Sequence, residues 1–288
     1  MRARWMLGII ATGLCGGVAA AQQGATGTGL ETALYCGGIV TSESVHHDAH
    51  IISGEASHDE IGWLAGQNVF IDRGADKGVK IGDEFSVIRE EHEASPAEWF
   101  TGQRMLLRAM GTFYADVARI RVVHVEKKTA TAQVVSSCDP VERGDMLLPF
   151  EAREMPQLRP FAPMDQFAPA TDKPKTAMVA TVKRFGEAAG PNSIVYVNLG
   201  AAQGVKVGTY FRIFRYQGDG NDIVYQTRGS AYMIYGFGSA PARYAWEDLP
   251  RDVIGEGIVL RVSKNAATVL ITATRREVSA GDYVEVEK

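Results

Sequence analysis

The 288-residue chain is long enough for two domains of roughly 100–200 residues each. Its 45% hydrophobic and 22% charged residues are those of an ordinary folded protein. A formal net charge of -4, with Lys and Arg scattered rather than clustered, excludes an electrostatic match to nucleic acid or to an anionic membrane surface.

The N-terminus has the pattern of a secretory signal. Arg2 and Arg4 give a basic start, 5–18 is mostly apolar, and Ala19, Ala20 and Ala21 supply the small side chains a signal peptidase accepts, with cleavage expected after Ala21 and Ala20 as the near alternative. A membrane-spanning helix needs about 20 consecutive apolar residues; this stretch is shorter and Gly-rich, so no transmembrane segment is expected after cleavage. Leu14 stands before Cys15 where a lipoprotein signal needs a small residue, which argues against lipidation. Residues 22–34 open Gly/Thr-rich and are expected to form a flexible N-terminus. Cleavage leaves two cysteines, Cys36 and Cys138, and a pair in an oxidising compartment is expected to form a disulfide, the alternative being two separately buried thiols. Such a bridge closes a loop of about 100 residues, which chain-entropy models credit with roughly 4–5 kcal/mol. No C-x-x-C spacing exists, so its role reads as a structural staple.

Four of the six histidines follow, in His46-His47-Asp48-Ala49-His50 and His58-Asp59-Glu60. His46 and His50 would share one face of a helix, and His58 with Asp59 could complete a zinc or copper site. The H-E-x-x-H spacing is absent and 51–54 reads as strand and turn, so a solvated loop is the preferred reading and no metal is assigned.

From 69 the chain repeats itself. VFIDRGADKGVKIGDEFSVIR (69–89) aligns without gaps, at an offset of 126, with VYVNLGAAQGVKVGTYFRIFR (195–215). Gly74, Gly78 and Gly82 fall on Gly200, Gly204 and Gly208. Each copy reads as a short strand that breaks at Gly74 or Gly200, where a positive φ is expected, a second tight turn at Gly78 or Gly204, and a strand of period two from 84 or 210 with one face buried. Residues 95–98 (SPAE) resemble a capping box with proline at the first helical position, predicting a helix over 99–110 that Gly102 weakens. Each copy then closes alike: 121–135 precedes Gly144-Asp145, and 258–271 precedes Gly281-Asp282, now at an offset of 137. The second copy therefore carries eleven more residues, expected between Tyr216 and Asp252. Six of the 11 prolines fall in 149–176, predicting an extended, semi-rigid linker whose Phe150, Phe161 and Phe167 pack along a domain.

The chain is thus expected to be mainly β: two related small barrel modules, 35–148 with its N-terminal extension and 177–288, joined by the Pro-rich linker. The frame of apolar strand, Gly74, Gly78-Val79, Gly82-Asp83, alternating strand and Gly144-Asp145 resembles the C-terminal domain of flagellar assembly protein T and related small envelope β-barrel modules. Thr209 replaces the first Asp in the second copy. The resemblance covers about 80 residues of each module and implies an SH3-like barrel in a periplasmic or outer-membrane assembly; a flagellar role is not carried over.

No catalytic constellation is expected and no cofactor. A nucleophile elbow and a P-loop are absent from the sequence. Strand alternation rather than a helix follows the glycines, and 218–222 (GDGND) reads as a hairpin turn rather than a calcium loop. Asp83, Asp145 and Asp282, each after a glycine, are expected to serve turn hydrogen bonds. The contact surface is placed in the enlarged segment of the second module, at Tyr232, Tyr235, Phe237, Tyr244 and Trp246, because aromatics on an inserted loop anchor partners; packing as a local core is the bland alternative. The leading expectation is an exported, non-enzymatic envelope protein used for protein–protein assembly. The alternative is a peptidoglycan or other glycan-binding protein, and a metal-dependent enzyme at His46, His50 and His58 is the least favoured.

Overall fold

The structure, a computed structural model, describes residues 27–47, 49–92, 97, 100, 102–160, 162–169, 177–216, 223–225, 241–243 and 250–287. The first half contains α1 (Gly27–Cys36), β1 (Ile39–Thr41), β2 (Ile51–Gly54), β3 (Gly62–Trp63), β4 (Asn68–Ile71), β5 (Glu84–Glu91), α2 (Gln103–Met110), β6 (Thr112–Val125), β7 (Ala130–Ser137), β8 (Val141–Glu142) and β9 (Met146–Pro149). The second half contains β10 (Ala177–Val182), β11 (Ala188–Ala189), β12 (Ile194–Val197), β13 (Tyr210–Tyr216), β14 (Ile223–Tyr225), β15 (Pro241–Arg243), β16 (Arg251–Val262), β17 (Ala267–Thr274), β18 (Val278–Ser279) and β19 (Tyr283–Val286).

The mainly β expectation is met. Strands β10-β12-β17-β16-β13-β19 form a closed barrel, and β2-β4-β7-β6-β5-β9 run in the same order, joined at their ends by a bridge between His50 and Met146. The duplication reaches further than the glycine frame. Pairings β3–β8 and β11–β18 correspond, with Trp63 opposite Val141 and Ala189 opposite Val278. The register also fixes the size of the insertion: Glu84 pairs with Arg121 and Tyr210 with Ile258, so the offset of 126 has become 137 across one connection. The eleven extra residues lie between β13 and β16, as expected, and β14 and β15 form a small antiparallel hairpin within that connection.

Alternation sends one face of each strand into a barrel core. Val69, Ile71, Phe85, Val87, Ile120 and Val122 fill the first; Val195, Val197, Phe211, Ile213, Val259 and Val269 fill the second. Each such side chain is worth about 1.5–3 kcal/mol on full burial.

The glycines act for two different reasons. Gly78 and Gly204 have φ of 80° and 83°, the left-handed turn expected of them. Gly74 and Gly200, however, are extended (φ -131° and -139°), so the expected positive φ is corrected. The cause is close approach: a Cβ on Gly74 would lie 2.5 Å from the Glu126 carbonyl oxygen, and one on Gly200 would lie 2.4 Å from that of Ser263. There the amides of Ala75 and Ala201 donate to those same carbonyls, both at 2.9 Å, pinning the turn to the β6–β7 or β16–β17 hairpin. Gly82 and Gly208 open β5 and β13, donating to Val122 and Val259.

Two local expectations change. Residues 27–34 are not a flexible tail but belong to α1, because Leu30 and Leu34 are buried and tertiary packing overrides a Gly/Thr-rich composition. The helix expected over 99–110 exists only from Gln103, with Gly102 at its N-cap; of 95–98 only Ala97 is among the described residues. In the Pro-rich stretch, the described residues of 150–169 contain no helix or strand, and a turn falls at 166–167, where the Ala168 amide donates to the Asp165 carbonyl.

The two barrels also exchange volume inside their cores. A Cβ on Gly54 would come within 2.2 Å of the Trp63 ring; the corresponding residues of the second barrel are Val182 and Ala189, both buried. Large-with-none in one copy is thus medium-with-small in the other. Trp63→Ala is expected to destabilise the first barrel by about 3–5 kcal/mol in urea unfolding. Adding Gly54→Val to that variant should recover about 1 kcal/mol or more, whereas Gly54→Val alone should destabilise.

Candidate functional site

Each barrel is locked by one arginine. Arg89 on β5 forks onto the buried Asp145 (2.7 and 2.9 Å), and Arg215 on β13 onto the buried Asp282 (2.5 and 3.0 Å). The remaining carboxylate capacity serves the turn, as expected: Asp145 accepts from the Glu142 amide and Asp282 from the Ser279 amide, both at 2.7 Å. Burial raises the Asp282 pKa, opposed by Arg215. Asp83 accepts from the Lys80 amide at 2.9 Å, and Thr209, its replacement, accepts the equivalent bond from Lys206 at 3.2 Å. The substitution therefore keeps the turn.

Around the second barrel the chain builds a junction. The outer side of β10, β12, β16 and β17 presents Ala180, Ile194, Tyr196, Ile258, Leu260 and Leu270, all buried beneath Leu30 and Leu34 of α1, Val40 of β1, Leu107 and Met110 of α2, and Phe113. Polar groups at this contact are matched. The Tyr196 hydroxyl donates to Gly37 O at 3.0 Å, Thr268 Oγ1 to Gly38 O at 3.1 Å, and Gln103 Nε2 to Ala180 O at 2.9 Å. Burial pushes the Tyr196 phenol well above its ordinary range.

Asp116 on β6 sits beside this contact with its side chain 5% exposed. It accepts from Arg153 of the linker (2.6 and 2.8 Å), from the Gly38 amide (2.9 Å) and from Arg261 of β16 (3.3 Å). Burial lowers the Arg261 pKa, with Asp116 opposing it. Burial likewise lowers that of Lys183, which donates to Cys36 O, and raises that of Glu91 at the neighbouring rim. The Cys36–Cys138 disulfide, expected from sequence, ties α1 to the end of β7, with Cα atoms 5.5 Å apart.

The linker runs on across the second barrel. Arg159 binds Glu256 and Glu287 and covers the Tyr210 ring at 4.2 Å. Arg251 donates to the carbonyls of Ala168 and Pro169 and pairs with Glu285. This brings the linker to the foot of the β13–β16 connection, where Phe214, Tyr216 and Tyr283 form a mutual aromatic cluster with centroids 5.1–5.7 Å apart. Arg251 lies 4.5 Å over the Phe214 ring. The corresponding residues of the first barrel are Ile88, Glu90 and Met146, so this aromatic pedestal belongs to the second copy alone. Sequence reasoning missed it, although comparing the repeats residue by residue would have revealed it. The residues expected to form a contact surface, Tyr232, Tyr235, Phe237, Tyr244 and Trp246, lie outside the described residues.

The His47 and His50 rings meet edge to face with centroids 5.1 Å apart, but His46, His50 and His58 do not form one ligand group among the described residues. The His50 amide and ring face Asp72, at 2.7 and 3.4 Å, while His58 pairs with Asp59 at an exposed site. His46 and His50 are not on a helix. Among the described residues no three His, Cys, Asp or Glu side chains form a group able to hold a metal ion, and no helix is long and apolar enough to cross a membrane. Among the described residues, a surface cavity of about 420 Å³ lies between α2 and the outer ends of β5 and β6, and another of about 240 Å³ lies beside the disulfide.

Comparison with known protein families and with curated proteins finds no match to this chain.

Asp116 carries a graded expectation. Asp116→Ala leaves two partly desolvated guanidinium groups facing each other and is expected to cost about 3–5 kcal/mol of stability. Asp139→Ala removes a rim pair with the half-exposed Arg184 and should cost under about 1 kcal/mol. Equilibrium denaturation of both variants tests the difference, and equal costs would refute the keystone role of Asp116.

Proposed function

We propose that the chain is an exported, non-enzymatic protein of the bacterial envelope that acts as an assembly or scaffold module, presenting the β13–β16 end of its second barrel to a protein partner. The observation that carries this is the asymmetry of a duplicated fold. Two copies of one barrel share their locks and turns, yet one copy alone has its β13–β16 connection enlarged, and that copy alone carries an arginine-capped aromatic cluster where β13 ends and β16 begins. Rigid scaffolds carrying one elaborated connection are a recurrent binding design. The buried carboxylates support a structural use of charge: Asp116, Asp145, Asp252 and Asp282 each face arginine. Export is supported by the basic–apolar start of the chain and by the disulfide, which suits an oxidising compartment. The envelope-barrel resemblance points the same way, to a periplasmic or outer-membrane-associated location.

Proximity cross-linking in intact cells, with the mature protein as bait and mass spectrometry as readout, tests this. A defined set of envelope proteins should be recovered, and Tyr244→Ala with Trp246→Ala should reduce that recovery several-fold. Background alone, from a folded and exported bait, would sink the assembly reading. Retention of the parent on peptidoglycan, lost in the same two variants, would establish the glycan-binding alternative in its place.

A further inference from the structure

Unused charge converges on the cavity of about 420 Å³ between α2 and the outer ends of β5 and β6, a volume in the range of roughly 300–1,000 Å³ usual for ligand pockets. None of its lining residues belongs to the β13–β16 connection. Its floor is apolar: Leu107 of α2, Phe113 of β6, and Phe185, which comes from the second half and meets the Phe113 ring at 5.6 Å. That floor is fixed in place. Arg184 and Phe185 both hold positive φ, 59° and 52°, a backbone that residues other than glycine rarely adopt. Lys183 on the Cys36 carbonyl and Arg184 on Asp139 pin this turn.

Two walls of opposite charge flank the floor. Arg104 and Arg108 stand one turn apart on the exposed side of α2, and neither pairs with an acid among the described residues. Glu90 and Glu91, at the end of β5, face them. Glu90 is exposed, with His92 3.7 Å away. Glu91 is partly buried and makes no hydrogen bond or ion pair among the described residues; burial raises its pKa, with Lys183 opposing. No ion pair joins one wall to the other, so four charges face the cavity rather than each other. The barrel itself does not require the acids, because in repeat register Glu90 and Glu91 become Tyr216 and Gln217.

We propose that this cavity binds a short free peptide, its carboxylate held by Arg104 and Arg108, its ammonium by Glu90 and Glu91, and its apolar side chains by the floor. The arrangement of charge selects such a molecule. An anion alone is repelled by the acidic wall, a cation alone by the arginines, and an uncharged apolar ligand desolvates all four charges without pairing them. A peptide carries its apolar part between its two charged ends, in the order in which the cavity presents floor and walls. Arginine suits the carboxylate end, since its paired N–H donors match two oxygens. This inference is independent of the partner proposed for the second barrel.

Titration calorimetry of the mature protein with the tripeptide alanyl-leucyl-alanine tests it. Saturable binding at one site is expected. An N-acetyl cap or a C-terminal amide removes one charge from the tripeptide, and each should weaken binding about tenfold or more. Arg104→Gln combined with Arg108→Gln should weaken the uncapped tripeptide about tenfold, yet bind the amide form as the parent does, because the lost partner is already absent. Glu91→Gln should behave in the same way towards the acetyl form. Unchanged circular dichroism and thermal unfolding of the variants separate these effects from a folding defect. No saturable binding at millimolar tripeptide overturns the site, as does binding indifferent to the caps and the variants. Affinity lost with the amide but kept with the acetyl cap overturns the free peptide and makes the occupant the C-terminus of a longer chain.

Discussion

Four separate parts of the chain meet at one buried carboxylate. Asp116 belongs to the first barrel; its partners are the Gly38 amide of the N-terminal segment, Arg153 of the linker and Arg261 of the second barrel. A carboxylate so enclosed is tolerated only while its oxygens are matched, and each partner comes from a different segment, so the carboxylate is satisfied only when all of them are in place. The disulfide stands beside it and holds α1 against β7. The apolar junction gains its area from Tyr196, Leu260 and their neighbours, but the relative placement of the two barrels is specified by this knot.

The duplicated barrels show how one frame supports two roles. Inside, apart from the exchange of Gly54 and Trp63 for Val182 and Ala189, the copies keep the same parts: an arginine forked onto the aspartate after a left-handed glycine, a turn pinned to a hairpin by an alanine amide, and a core of aliphatics. Outside, they diverge. Tyr196 and Leu260 are covered where Phe70 and Val123 are open, and an aromatic pedestal replaces Ile88, Glu90 and Met146. Divergence on outer positions costs the barrel core nothing, because alternation along a strand separates the two faces.

Much of this frame was legible in the chain. Glycines in register, the change of offset by eleven and the expected cysteine pair all survive in the structure, because each reflects a local backbone demand or a simple count. Gly74 was located but misread, since a steric exclusion by the Glu126 carbonyl leaves the same residue in the sequence as a positive φ would. Helix α1 escaped because its stability comes from Leu30 and Leu34 packing on residues far along the chain, and composition does not record that. Asp116 and Arg261 carried no signal for the same reason: separated by 145 residues, they become meaningful only when β6 and β16 lie together. The pedestal was the one feature within reach, as a difference between the repeats rather than a likeness.

The hydrogen bond from Thr268 to Gly38 spans 230 residues, and this sets the order in which the molecule can be completed. A first barrel needs nothing beyond β9 to close, and its disulfide needs only Cys138. The N-terminal segment is therefore tethered at one end to a finished barrel while the surface it covers has yet to form. Closing a long loop is slow because chain entropy is lost before contacts repay it. Here the bridge, which spans 102 residues, shortens that loop in advance, and the second barrel, as its last strands assemble, meets a docking site already held in place.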